Sequence, residues 1–223
     1  MPADPQRLRS SDLAAAVRAR RLIAVLRRIE PRDRLLALVA DLLDDGVRLF
    51  EVTFDGNDAA DDLAAVVALL AERRGPDPEP PADRAFAGAG TVRSADQVRA
   101  AIDSGADFAV SPVFDRDVLD AAIEAGLPFV PGAYSPTEID AAWRAGATFV
   151  KLFPASSLGP SHLRELRGPL PAIETIATGG VDASNAAAFL EAGAVAVGIG
   201  SAFGRMAAAE RRALVATIGR DGR

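Results

Sequence analysis

One pattern recurs five times along this chain: a segment rich in alanine and polar residues ends in glycine, and an apolar segment follows at once. Glycine is expected just past the end of a helix, because it adopts positive φ without steric cost. The apolar segments are almost unbroken, as in parallel strands that are covered on both faces. The pattern therefore predicts helices that alternate with parallel strands. The glycines are Gly46, Gly105, Gly126, Gly146 and Gly193.

This alternation predicts eight strands, with helices in the gaps and an extra helix at about 11–20. The strands are expected at 22–29, 47–54, 85–92, 106–113, 127–133, 147–155, 172–180 and 194–203. Eight β/α units in roughly 200 residues are typical of a closed (β/α)8 barrel, or TIM barrel. We therefore expect a single barrel domain over 1–223, with its core at about 22–203. An open doubly wound sheet is the alternative that this pattern leaves.

The composition excludes several kinds of function. The chain has no cysteine and a single histidine, His162, which excludes thiolate chemistry and multi-histidine metal sites. We expect no metal ion in the site. A net charge of -6 disfavours nucleic acid or an anionic membrane as the main partner. No apolar run is long enough for a membrane span and the N-terminus does not resemble a secretory signal, so we expect a cytoplasmic protein.

Lys151 is the only lysine among 25 basic residues, and it lies in the apolar run TFVKLFP of the sixth strand. A general bias toward arginine also explains the absence of other lysines. The period of two along a strand places Lys151 on one face together with Phe149 and Phe153. Loss of solvation in an apolar barrel favours the neutral amine, which can form a Schiff base with a ketone.

Glu51 lies in the second strand, in the run FEVTF. The bulky Phe50 and Phe54 suit the helix layer outside the barrel, so Glu51 is expected to point inward. A buried carboxylate is costly unless it is paired or has a role in chemistry. A negative charge close to Lys151 would favour its ammonium form. A catalytic pair and a purely structural Lys–Glu ion pair are therefore both compatible with these residues.

Further candidates lie at other strand ends, where the reactive groups of barrel enzymes are found. Arg27 ends the run IAVLR and is the best cation for a substrate carboxylate, although strand parity alone does not decide whether Arg27 or Arg28 points inward. Thr91, in GAGTV, supplies a hydroxyl. Glycine-rich loops after the last two strands are the usual phosphate site of a barrel, and simple tight turns are the alternative. These loops contain Thr178, Gly179 and Gly180 in TGGV, and Gly200 and Ser201 in GIGSAF.

Taken together, these segments resemble the 2-keto-3-deoxy-6-phosphogluconate (KDPG) / 4-hydroxy-2-oxoglutarate (KHG) aldolase family. The matching runs occur in family order between about 22 and 203: IAVLR, GVRLFEVTF, GAGTV, GADFAVSP, PGAYSPTE, VKLFPA, TGGV and VGIGSA. The resemblance implies a class I, metal-independent aldolase that forms a homotrimer. It has no cofactor, and the intermediate is a covalent imine on the protein.

The resemblance also implies roles for individual residues. Lys151 matches the Schiff-base lysine, and Glu51 matches the general acid/base. The pyruvyl carboxylate is expected at Arg27 and Thr91. The residues that match the substrate and phosphate loops are Thr178, Gly179, Gly180, Gly200 and Ser201.

The expected reaction is cleavage of KDPG to pyruvate and glyceraldehyde 3-phosphate, or of KHG to pyruvate and glyoxylate. The galactonate epimer or another 2-keto-3-deoxy acid is the nearest alternative substrate. A sugar-phosphate isomerase or epimerase, or a non-catalytic binding protein, is a more distant alternative. One departure concerns binding: many members have Leu-Arg-Thr after the second strand, where this chain has Phe54-Asp55-Gly56. The change makes Arg27 more important and places an acid near an anionic substrate.

Overall fold

The computed structural model describes residues 4, 7, 11–75, 80–200 and 203–220, and its strands form one parallel sheet. The sheet order is β5-β4-β3-β2-β1-β9-β8-β7-β6. The strands are β1 (Leu22–Leu26), β2 (Leu49–Thr53), β3 (Phe86–Gly90), β4 (Phe108–Val110), β5 (Phe129–Val130), β6 (Gly132–Ala133), β7 (Val150–Leu152), β8 (Thr175–Thr178) and β9 (Ala196–Ile199).

The two ends of this sheet, β5 and β6, are halves of one predicted strand that Pro131 interrupts. Proline has no N–H to donate to a ladder, so the regular pairing stops there. On one side, Ser111 N donates to Val130 O at 3.1 Å, and on the other, Lys151 N donates to Pro131 O at 2.8 Å. This single stretch therefore joins the two ends of the sheet. The predicted (β/α)8 barrel is confirmed, and the open doubly wound sheet is wrong.

The predicted strands were too long. The predicted strand 147–155 is a strand only at Val150–Leu152, and the described part of 194–203 only at Ala196–Ile199. The apolar runs continue beyond the hydrogen-bonded ladder because residues past a strand end are also buried. Phe203, for example, is 2% exposed but belongs to a short 3-10 helix, Phe203–Arg205.

Helices follow the strands around the outside of the barrel. They are α1 (Asp12–Arg20), α2 (Arg32–Asp44), α3 (Ala59–Glu72), α4 (Ala95–Asp103), α5 (Arg116–Glu124), α6 (Pro136–Arg144), α7 (Ala155–Arg167), α8 (Ala186–Glu191) and α9 (Ala208–Arg220). The recurring glycines work as predicted, since all five adopt positive φ directly after a helix. None of the described helices is both long enough and apolar enough to cross a membrane.

The barrel interior is filled at its amino-terminal end and open at its carboxyl end. Ile23, Leu49 and Phe86, near the starts of β1, β2 and β3, belong to one buried cluster. Leu13 and Val17 of α1 pack into the same cluster, so the extra N-terminal helix covers this end. The remaining space for chemistry therefore lies at the carboxyl ends of the strands.

Alternating burial identifies which side chains point inward. In β2, Leu49 belongs to the interior cluster, whereas Phe50 and Val52 pack against the helices. Glu51 therefore points into the barrel, as predicted from the sequence. The same alternation in β1 places Ile23 inside and puts Arg27 on the same side, which resolves the choice between Arg27 and Arg28.

Candidate active site

Lys151 and Glu51 face each other across the open end of the barrel. Lys151 lies in the middle of β7 and Glu51 in the middle of β2, and three strands separate β2 from β7 in the sheet order. Lys151 Nζ is 3.6 Å from Glu51 Oε1, and the two side chains are only 8% and 3% exposed. Removing two charges from water is costly, so a buried ion pair is weak evidence for a purely stabilising role.

Lys151 has a second neighbour that favours a positive charge. Its Nζ lies 5.1 Å from the centroid of the Phe153 ring, within the range of a cation–π contact. Phe153 follows β7 on the same side as Lys151, as the alternation along the strand predicts. The amine is thus held between an aromatic face and a carboxylate.

The inward glycines of β3 make room for the functional side chains. A Cβ on Gly90 would lie 2.2 Å from Glu51 Oε1, and one on Gly88 would lie 2.6 Å from the Phe108 ring. These glycines therefore leave space for a carboxylate and for a ring inside the barrel.

A cleft of about 490 Å³ opens above the Lys151–Glu51 pair and contains most of the predicted site residues. Ser201 lies outside the described residues. The predicted residues in its lining are Arg27, Glu51, Thr91, Lys151, Thr178, Gly179, Gly180 and Gly200. The sequence analysis missed Asp182 and Arg205, which also line the cleft. Both follow glycine-rich loops, the one sequence signal that could have identified them.

Arg27 lines the cleft and forms an ion pair that the sequence did not predict. Its Nε lies 3.0 Å from Asp55 Oδ2, while the Thr53 hydroxyl donates to Asp55 Oδ1 at 2.7 Å. Arg28 does not line this cleft and donates from Nη2 to the Asp55 backbone carbonyl at 3.1 Å. The acid that replaces the arginine common in the resembling family therefore pairs with the cation expected to bind substrate.

Thr91 adopts a strained backbone where β3 enters the cleft. Its φ is 59°, in the left-handed region that β-branched residues rarely occupy. Such a conformation costs on the order of 1–3 kcal/mol and concentrates at functional sites. Thr91 lines the cleft, so this strained residue, which carries a hydroxyl, lies at the mouth of the barrel.

The loop after β8 forms a tight turn of two glycines. Gly179 and Gly180 both adopt positive φ, at 90° and 73°. Their carbonyl oxygens accept hydrogen bonds from Ser156 N at 2.9 Å and from Asn185 Nδ2 at 3.0 Å, which holds the turn in place. A Cβ on Gly180 would lie 2.3 Å from Ser156 Oγ, so this position requires glycine.

Asp182 brings a negative charge to the edge of the same cleft. Its carboxylate accepts hydrogen bonds from the hydroxyl and the backbone N–H of Ser184, at 2.6 and 2.8 Å. These two bonds, the hydroxyl first, lower the pKa of Asp182. The group is therefore ionised at neutral pH.

The described residues contain no group of three or more histidine and carboxylate side chains that could hold a metal ion. The one histidine, His162, lies in α7 and does not line the cleft. The reactive groups that converge there are an amine, a carboxylate and hydroxyls. An amine and a carboxylate in one cleft are sufficient for imine chemistry with proton transfer.

A buried lysine that faces a glutamate at the carboxyl end of a barrel has the groups that a class I aldolase needs, and aldolases are lyases. The particular family follows from comparison with known proteins: a family model described as KDPG and KHG aldolase matches residues 13–218. The chain belongs to this family, in which a class I Schiff-base mechanism is typical.

Individual relatives agree on the family but differ in substrate. The chain is 34% identical to a 2-dehydro-3-deoxy-6-phosphogalactonate aldolase of Escherichia coli (strain K12), over 81% of this chain and 82% of the relative. It is 33% identical to a 2-dehydro-3-deoxy-phosphogluconate aldolase of Treponema pallidum (strain Nichols), over 75% and 73%. Among solved structures, it resembles a KDPG aldolase from Legionella pneumophila with pyruvate captured as a covalent carbinolamine intermediate. That match has 25% identity and a TM-score of 0.75, and covers 95% of this chain and 98% of the other.

The space beside Glu51 yields a first prediction. In Gly90→Ala, the new methyl group meets the Glu51 carboxylate and moves it, while the fold survives because the clash involves the end of a flexible side chain. A displacement of about 1 Å in a catalytic group lowers kcat by on the order of 100-fold. Steady-state kinetics measure the loss of turnover, and circular dichroism checks that the fold is retained.

Gly56→Ala is the matched control, because a Cβ there meets no atom within 4 Å. We expect this variant to retain its turnover. Normal turnover in Gly90→Ala would show that the position of Glu51 relative to Lys151 does not limit the reaction.

Proposed function

We propose that the protein cleaves KDPG to pyruvate and glyceraldehyde 3-phosphate through an imine on Lys151. The observation that carries the proposal is the buried Lys151–Glu51 pair at the floor of an open cleft. The galactonate epimer is a second candidate, favoured by the name of the Escherichia coli relative. KHG is a third candidate substrate, which would give pyruvate and glyoxylate.

The contact between the two groups supports a specific first step. A proton that moves from the Lys151 ammonium to Glu51 produces a neutral amine and a carboxylic acid at once. The amine adds to the C2 ketone of the substrate, and Glu51 returns the proton to the leaving hydroxyl. Water departs and a protonated imine remains.

The imine then acts as the electron acceptor for bond cleavage. Glu51, again a carboxylate, removes the proton from the C4 hydroxyl, and the C3–C4 bond breaks. The electron pair of that bond enters the enamine on Lys151, and glyceraldehyde 3-phosphate leaves. Protonation of the enamine at C3 and hydrolysis of the imine release pyruvate and restore the amine.

The rest of the cleft supports the two ends of the substrate. Arg27 and Thr91 are assigned to the carboxylate of the pyruvyl group, since both line the cleft beside Lys151. Thr178 is assigned to the substrate chain. The turn at Gly179 and Gly180, with Gly200 and Ser201, is assigned to the phosphate, which backbone N–H groups of glycine-rich turns bind well.

The family name of the neighbouring Legionella pneumophila enzyme, and its captured pyruvate, support pyruvate as one product. A sugar-phosphate isomerase or a non-catalytic binding protein could also use phosphate loops. Metal-dependent epimerases of this kind need several histidines, and the chain has one. A non-catalytic binding protein needs no buried amine. We therefore rank the aldolase above both of them.

The single lysine makes the imine directly testable. When the protein is incubated with pyruvate and reduced with borohydride, peptide mapping by mass spectrometry is expected to find the adduct at Lys151. The only other amine is the α-amino group, which lies on a different peptide. EDTA is expected to leave the labelling unchanged, because the proposed chemistry requires no metal.

Lys151→Arg is the matched control, since arginine keeps the positive charge opposite Glu51 but cannot form an imine. We expect it to remain folded and to lose both the label and the cleavage activity. An unlabelled Lys151 in the folded wild-type protein would contradict the proposed mechanism.

Glu51→Gln tests the proton transfers separately. Glutamine has nearly the same shape and cannot carry the proton, so kcat for KDPG is expected to fall by about 10²- to 10⁴-fold. Circular dichroism checks that the fold is retained. Turnover close to that of the wild type would remove the general acid/base role from Glu51.

We further propose a homotrimer in the cytoplasm, as the family resemblance implies. Light scattering of the purified protein is expected to give three times the chain mass of 23.1 kDa. A monomeric mass at micromolar concentration would contradict the trimer without affecting the proposed reaction.

A further inference from the structure

Among the described cations that line the catalytic cleft, all but one face a carboxylate. Lys151 faces Glu51 at 3.6 Å, and Arg27 faces Asp55 at 3.0 Å. Arg205 also lines the cleft, and in the part of the chain that the structure describes no carboxylate lies within 4.0 Å of its guanidinium. Arg205 is therefore the cation of this cleft whose charge is available to a ligand.

The backbone on both sides of Arg205 is held in place. Phe203 is buried, and its N–H donates to Gly200 O at 2.9 Å. On the other side, the carbonyl of Met206 accepts a hydrogen bond from Arg211 Nη1 at 3.0 Å, and Arg211 is itself buried. These contacts fix the short 3-10 helix that carries Arg205 at the rim of the cleft.

A second cavity adjoins the cleft at this point, and all the charged side chains in its described lining are arginines. It measures about 340 Å³ and shares Arg27, Gly200 and Arg205 with the catalytic cleft. Arg28 and Arg34 complete the set of four, of which Arg27 and Arg28 pair with Asp55 and Arg34 and Arg205 do not. A wall of one sign of charge around a concave space attracts ligands of the opposite sign.

Without Arg205, the ionised groups in and beside the cleft carry one net negative charge. Glu51 offsets Lys151, Asp55 offsets Arg27, and the ionised Asp182 adds a further negative charge at the rim. A phosphorylated 2-keto acid carries a carboxylate at one end and a phosphate at the other. The carboxylate is assigned to Arg27, and a second cation at the far end would offset the charge of the phosphate.

We propose that Arg205 binds the phosphate of the substrate and determines the preference for phosphorylated over unphosphorylated 2-keto acids. This inference rests on the proposed aldolase function and adds a side chain to the backbone turns assigned above. The turns supply N–H donors, and the guanidinium supplies charge and a planar fork that matches phosphate oxygens. It also opposes the repulsion from Asp182.

Arg205→Gln tests the assignment with two substrates, KDPG and its unphosphorylated counterpart 2-keto-3-deoxygluconate. A hydrogen bond to a charged group contributes about 1.5–3 kcal/mol, so kcat/KM for KDPG is expected to fall by roughly 10- to 100-fold. The value for the unphosphorylated substrate is expected to change by less than about twofold. Arg205→Lys, which retains the charge without the fork, is expected to recover part of the loss.

Arg99→Gln is the matched control, because it removes the same charge from the exposed surface of α4, away from the cleft. It is expected to leave kcat/KM for both substrates unchanged, which excludes a general effect of net charge. Thermal unfolding of each variant checks that the fold is intact.

The outcomes separate this inference from the proposed function. If the wild type prefers KDPG and Arg205→Gln keeps that preference, the role of Arg205 is wrong and the aldolase function stands. Equal losses for both substrates would also overturn it, since they indicate a structural effect. If the wild type itself cleaves both substrates equally well, the proposed preference for phosphorylated substrates is wrong, and so is the role of Arg205.

Discussion

The contact between Lys151 and Glu51 is the interaction on which the rest of the site depends. It forms only because β2 and β7 lie on opposite sides of a barrel whose ends are joined at the strand broken by Pro131. It also requires space, which Gly90 provides by having no side chain next to Glu51. Two groups that would be costly to bury separately are thus buried together beneath a cleft, where a substrate ketone can reach the amine.

A second set of charges surrounds this pair at the rim of the cleft. Asp55 occupies a position where related aldolases often have an arginine, and it pairs with Arg27 instead of repelling the substrate as an isolated acid would. Because the Asp55 carboxylate also accepts the Thr53 hydroxyl, it holds the guanidinium at the mouth. A further positive charge lies at Arg205, on a rim segment after the last strand.

Much of the architecture was predictable because its signals are local. Glycine after each helix and unbroken apolar runs indicated eight strands, and the period of two in FEVTF placed Glu51 inside. The ends of the strands were not predictable, since buried residues such as Phe203 continue an apolar run after the ladder has ended. The role of Gly90 was missed for a similar reason, because it depends on a side chain from a neighbouring strand.

The sequence by itself determined the alternation of strands and helices, the inward direction of Glu51 and the presence of a single lysine in an apolar strand, since each follows from residue types and periodicity along the chain. The closure of the strands into a barrel required the tertiary structure. Only the tertiary structure decided that Arg27 rather than Arg28 enters the cleft, that Asp55 is its partner and that no described carboxylate pairs with Arg205. The physical reason is that charge pairing is a property of distances across the barrel. Residues from β1, from the loop after β2 and from the segment after β9 meet only when the barrel closes.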